Sequence, residues 1–198
     1  MKVLLPRMLG ILPLLFFVIY TYAAFAENRA AEALWMCHVS NVILGIGMLT
    51  QRPMLVRMVF PWLIFGVPLW LIDVVSSGDE RTVSTVSHIG GFLVGVYAIW
   101  RVRVPVNPWL PALLLFMMFR QLCRWLTPPS LNVNLSHSIY SGWEGWFPNY
   151  PVYWVVTTLV AAASLWGLGR LMIVAFPPRP KTTNEPTNRY IDAASELP

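Results

Sequence analysis

Six apolar runs separated by short polar connections decide what this chain can fold into. They are Val3–Ala26, Ala33–Thr50, Met54–Val75, Ser84–Trp100, Trp109–Leu126 and Val152–Phe176. Each is near the ~17–25 residues that carry a helix across a bilayer. The composition agrees, since 57% of residues are hydrophobic and only 12% charged, which excludes an ordinary soluble domain. The expected fold is all-α, a polytopic transmembrane helical bundle of six helices over residues 1–176, placed in the cell membrane as a multi-pass protein of the bacterial inner-membrane kind. The second, fourth and fifth runs are short and carry polar residues, so hydropathy defines them less sharply than the third and sixth.

After Phe176 the chain turns polar and rich in proline, threonine and asparagine, with too few large apolar residues to bury a core. Residues 177–198 are expected to be a disordered cytoplasmic tail. The first run has a rival reading, because Lys2 and Arg7 precede an apolar stretch ending "YAAFA", the pattern of a cleaved signal peptide. Its length from Met8 to Ala26, with Pro13 inside it, favours a retained helix; cleavage would leave five. No internal repeat, heptad run or Gly-rich phosphate loop is present, and no second, soluble domain is expected.

The net charge of +5 is scattered between apolar runs rather than gathered on one face, so it reports orientation and not a nucleic-acid partner. With six helices, one side receives Lys2, Arg7, Arg52, Arg57, Arg101, Arg103, Arg170, Arg179, Lys181 and Arg189. The other receives Arg29 and Arg81, with Arg120 and Arg124 near its rim. The first side, which holds both termini, is expected to be cytoplasmic.

On that map the polar residues of the helices gather at the outer ends. Cys37, His38, Ser40 and Asn41 begin the second run, Asp73 ends the third, and Ser84, Ser87 and His88 begin the fourth. Arg120, Gln121 and Arg124 end the fifth, and the loop before the sixth adds Asn132, Asn134 and His137. Ionisable groups at membrane depth cost roughly 2.5–3.5 kcal/mol each and tend to face a bundle interior or a wet cavity. An outward-facing polar pocket is the expectation, with the aromatic loop residues Trp143, Trp146, Phe147, Tyr150 and Tyr153 folding back as a partial lid.

Cys37 and Asn41 are four residues apart, and His38 and Asn41 three, so Asn41 shares a face with either but not fully with both. His88, Gly91 and Gly95 follow one helical stripe, which directs the histidine toward a close helix contact. A cysteine becomes a nucleophile when a base or a positive field favours its thiolate, and His88, Arg120 and Arg124 offer both. Alternatives stay open: a buried structural cysteine, a Cys37–Cys123 disulfide, or a purely hydrogen-bonded histidine. Histidines on one side also invite a metal or haem, with His38 or His137 and His88 as ligands, but no HExxH or CxxC spacing accompanies them; no metal or cofactor is expected.

"CHVSN" on the second run, "SHIGG" about fifty residues later, "NVNLSHSIY" and "PNYPVYW" together resemble the YwaF-like bacterial integral membrane proteins. Their relatives include the androgen-induced intramembrane hydrolases of fatty-acid esters and a phospholipid acyltransferase. The resemblance spans most of residues 30–176 and implies a lipid acyl-ester hydrolase or acyltransferase, with Cys37 as nucleophile and His88 as base. It implies a membrane lipid as partner and a lipid ester as substrate; the expected outer pocket, not the resemblance, offers His38, Asn41, Asp73, Arg120, Gln121, Arg124, Asn132, Asn134 and His137 to bind it. Protein partners are not indicated. The rival function is a non-enzymatic membrane protein that binds a lipid or small molecule, or a subunit of a membrane complex. "SHIGGFLVG" is also similar to the His-x-x-Gly-x-x-x-Gly helix of rhomboid proteases, but the chain lacks their Gly-x-Ser-Gly nucleophile.

Overall fold

The computed structural model describes residues 4–77, 82–102 and 106–177. Every regular element among them is helical. The expected tail lies almost wholly outside the described residues.

The first run forms α1 (Leu4–Leu9) and α2 (Ile11–Ala26), which meet at Gly10. Pro13 has no N–H to give the carbonyl four residues back, so the backbone ladder is interrupted at this junction. The same junction is where α2 crosses α3 (Met36–Leu49). A side chain on Gly45 would stand 2.7 Å from the Gly10 carbonyl oxygen, so the two backbones touch through paired glycines.

The second run is expected to be helical from Ala33, but the helix begins three residues later. Ala30–Leu34 winds as a 3₁₀ turn and Trp35 is extended, with φ −56° and ψ 136°. Cys37 therefore lies in the first turn of α3. Next comes α4 (Pro53–Ser77), a long helix that keeps Pro61 and Pro68 inside it.

The fourth run is one continuous rod of three segments and two kinds of turn. It passes from α5 (Thr82–Thr85) through a π-helical segment, Val86–Gly90, into α6 (Gly91–Val102). Two more helices complete the bundle, α7 (Trp109–Leu126) and α8 (Tyr150–Ala175). The Asn149 side chain caps α8 by accepting from the Val152 N–H at 3.0 Å.

Among the described residues, four helical segments are long and apolar enough to cross a membrane: Arg7–Ala26, Pro53–Val75, Thr82–Val102 and Tyr150–Ala175. At ~1.5 Å per residue the 14 residues of α3 fall short of a ~30 Å hydrocarbon layer. In α7, Arg120, Gln121 and Arg124 dilute the apolar character. Val75, Leu159, Leu69 and Val174 are each more than 60% exposed on the long helices, a surface compatible with lipid.

Two apolar clusters hold the bundle. One joins α3, α4 and α6 through Leu44, Val59, Phe60 and Ile99 and takes in Met172 of α8; the other joins α4, α7 and α8 through Trp62, Ala112 and Leu165. Both centre on α4. The polar ends of α3 and of the π segment are thereby brought face to face.

Candidate functional site

The site starts from the N-terminus of α3. Here the Met36 N–H donates to Asn134 Oδ1 at 2.8 Å and the His38 N–H to the Trp35 carbonyl at 2.9 Å. Cys37 lies between these two residues in the first turn. From the opposite side comes His88, whose Nε2 stands 3.2 Å from Cys37 Sγ.

The proton positions follow from the partners. His88 Nδ1 lies 2.9 Å from the Ser84 carbonyl oxygen, which can only accept, so Nδ1 carries the hydrogen. In the neutral ring Nε2 is then the acceptor, and the Cys37 thiol donates to it. This is the arrangement of a nucleophile and its base.

The π segment explains how two adjacent residues serve two partners. Its wider turn brings sequence neighbours closer in direction than an α-turn does. While His88 meets Cys37, Ser87 accepts from Asn41 Nδ2 at its carbonyl (3.2 Å) and its hydroxyl (3.3 Å). The same hydroxyl lies 3.0 Å from His38 Nδ1. Asn41 needs room here, and Gly91 supplies it, since a Cβ on Gly91 would fall 2.1 Å from Asn41 Oδ1.

The expected choice between Cys37 inward and His38 inward does not arise. His38, Asn41, Ser87 and His88 are all buried, and the ring centroids of the two histidines are 4.9 Å apart. Both faces of α3 near its start are occupied, one by the π segment and the other by α4. At Gly66 of α4 an added Cβ would meet the Cys37 Cβ at 2.8 Å.

Tyr20 of α2 stacks on His38 at 3.6 Å, and its hydroxyl donates to Glu32 at 3.3 Å. Glu32 in turn accepts from Arg29 at 2.6 Å, and Arg29 also pairs with Glu27. Burial pulls the Arg29 guanidinium down, but the hydrogen bonds and charges of Glu27 and Glu32 outweigh it and hold the group above its ordinary range. Trp70 of α4 stacks on His88, with centroids 5.8 Å apart. Tyr20, Glu32, Gly66 and Trp70 were not singled out from the sequence. Gly66, a lone glycine between two prolines in an apolar helix, was the one with a readable signal.

The remaining candidates form a second group around the loop. Asn134 is buried and fully engaged: its Oδ1 accepts from the Met36 N–H at 2.8 Å, and its Nδ2 donates to the Leu34 carbonyl at 2.8 Å and to Cys123 Sγ at 3.3 Å. Cys37 and Cys123 are separate free thiols. Arg120 donates to the Leu135 carbonyl at 3.1 Å and the Thr157 hydroxyl at 3.1 Å and lies over the Trp154 ring, so it joins α7 to the loop and α8. Asn132, at φ 43°, accepts from the N–H groups of His137 and Ser138 and so shapes the loop. His137 Nε2 lies 3.3 Å from the Thr127 hydroxyl.

Gln121, Arg124 and Asp73 are exposed, and the Arg124 guanidinium lies over Tyr150. The structure thus unites Cys37, His38, Asn41 and His88, and gives Asn134, Asn132 and Arg120 internal partners. The start of the loop reaches the residue before Cys37 through Asn134, whereas the aromatic residues expected as a lid pack on one another, with Trp143 on Trp146 and Phe147 on Tyr153, and Trp146 stays exposed. Comparison with known protein families, with curated proteins and with solved structures returns no match.

Proposed function

We propose that the chain is a multi-pass membrane protein that cleaves or transfers acyl groups of lipid esters, with Cys37 as nucleophile and His88 as base. The observation that carries this reading is the 3.2 Å contact between Cys37 Sγ and His88 Nε2, with the tautomer set by the Ser84 carbonyl. In the first step the thiol proton passes to Nε2 and the sulfur attacks the ester carbonyl carbon. The carbon–oxygen bond breaks as His88 returns the proton to the leaving alkoxide. The thioester then yields to water, giving a fatty acid, or to another lipid hydroxyl, giving a new ester; His88 takes the proton of either and returns it to the Cys37 sulfur as the carbon–sulfur bond breaks.

An apolar groove between α2 and the start of the fourth rod is lined by Phe16, Ile19, Thr82, Val83 and Val86. Ile19 and Val86 precede Tyr20 and Ser87 in the sequence, and this groove is the proposed berth for an acyl chain entering from the lipid. Six spans with cytoplasmic termini follow from the charge asymmetry, with α3 and α7 crossing as packed members of the bundle. The site then faces outward.

Purified protein in lipid nanodiscs, supplied with a fluorogenic phospholipid ester, tests this. Turnover that falls at least a hundredfold in both Cys37→Ala and His88→Ala is expected. Equal turnover in the variants and the parent would contradict the assignment. A non-enzymatic lipid-binding role would show saturable binding of the same probe with no product.

A further inference from the structure

We propose that Cys37, His38 and His88 form a metal-ion site of one thiolate and two imidazoles, suited to a borderline ion of the Zn²⁺ class. One ligand atom from each residue lies within 4.8 Å of the other two. In a tetrahedral site, ligand atoms about 2.0–2.3 Å from the ion stand about 3.3–3.8 Å apart, so small side-chain movements complete the set. Three protein ligands leave a fourth position for water or a substrate atom.

The surroundings match what imidazole ligands require. His88 Nδ1–H is held by the Ser84 carbonyl and His38 Nδ1 by the Ser87 hydroxyl, so each ring is oriented through Nδ1 and coordinates through Nε2, that of His88 exchanging the Cys37 thiol hydrogen for the ion. Tyr20 and Trp70 stack on the two rings and fix their planes. The sequence carries no metal spacing motif because two of the ligands are adjacent. Neighbours on a helix diverge by about 100°, and they share an ion only because His88 touches both.

Binding converts the Cys37 thiol to a thiolate, its proton leaving to the solvent buffer, while both imidazoles bind through neutral nitrogen lone pairs. The proposal does not depend on acyl transfer. A coordinated thiolate is a poor nucleophile, so ion and acyl group would be alternative occupants of the same sulfur.

The test uses the full chain in detergent, stripped by chelator, titrated with Zn²⁺ by calorimetry and with Co²⁺ by absorption. One ion per chain is expected, with a thiolate-to-cobalt charge-transfer band that Cys37→Ser removes. His38→Gln should weaken Zn²⁺ binding at least tenfold and His137→Gln should leave it unchanged. The absence of saturable uptake, or uptake indifferent to both Cys37→Ser and His38→Gln, overturns the proposal. If His38→Gln does not fold, the thiolate–cobalt band of the parent decides alone. Lipid-ester turnover measured on metal-free protein reports separately on the acyl reading, since His38 is needed for the ion and not for the Cys37–His88 pair.

Discussion

Cys37 owes its character to two neighbours, each with a different physical role. His88 supplies an acceptor nitrogen, and Gly66 lets α4 pack close enough to shut one side. Asn41 is the equivalent point for His38, because it fixes the Ser87 hydroxyl between them. Gly91→Ala pushes a methyl group into Asn41 Oδ1 and should break that link. We expect a loss of about 1–3 kcal/mol, read as a lower melting midpoint in detergent, with the rate of Cys37 alkylation changed as well. An unchanged melt and an unchanged alkylation rate would mean that Asn41 does not organise the site.

Among the elements, the π segment and the loop before α8 carry the most information. The stripe of His88, Gly91 and Gly95 was legible as a close-contact face, and Gly95 does lie against Phe60. The π turn was not legible, because hydropathy and spacing do not reveal where a helix takes up an extra residue. It is this turn that lets Ser87 and His88 both face α3. Asn134 shows the opposite limit. Its amide was readable as a free donor, whereas the fold spends both hydrogens on Leu34 and Cys123 and its oxygen on Met36. Asn134→Ala should leave the start of α3 without a partner and cost about 1–3 kcal/mol, seen as faster amide exchange at Met36. Exchange as slow as in the parent would show that water replaces the amide.

On the scale of the whole molecule, the apolar runs located the helices closely: Met54–Val75 became Pro53–Ser77, and Trp109–Leu126 was met at both ends. Charge asymmetry gathered Cys37 and His88 at one end of the bundle before any contact was visible. Which faces meet could not be read, since nearly all-apolar helices such as α4 and α8 present no single polar side to orient them. Tyr20 was hidden for this reason. The orientation itself is testable with Cys37→Ser/Cys123→Ser protein carrying either Ser141→Cys or Gln51→Cys. A membrane-impermeant maleimide added to intact cells should label position 141 and not position 51; the reverse pattern would invert the topology.

The proposed activation of Cys37 by His88 toward an acyl-like electrophile can be read by mass spectrometry after treating metal-free protein in nanodiscs with a long-chain chloromethyl ketone. One adduct per chain is expected, on Cys37 and not Cys123, formed at least tenfold more slowly in His88→Gln. An adduct distributed over both cysteines, or one on Cys37 whose rate ignores His88, would contradict it.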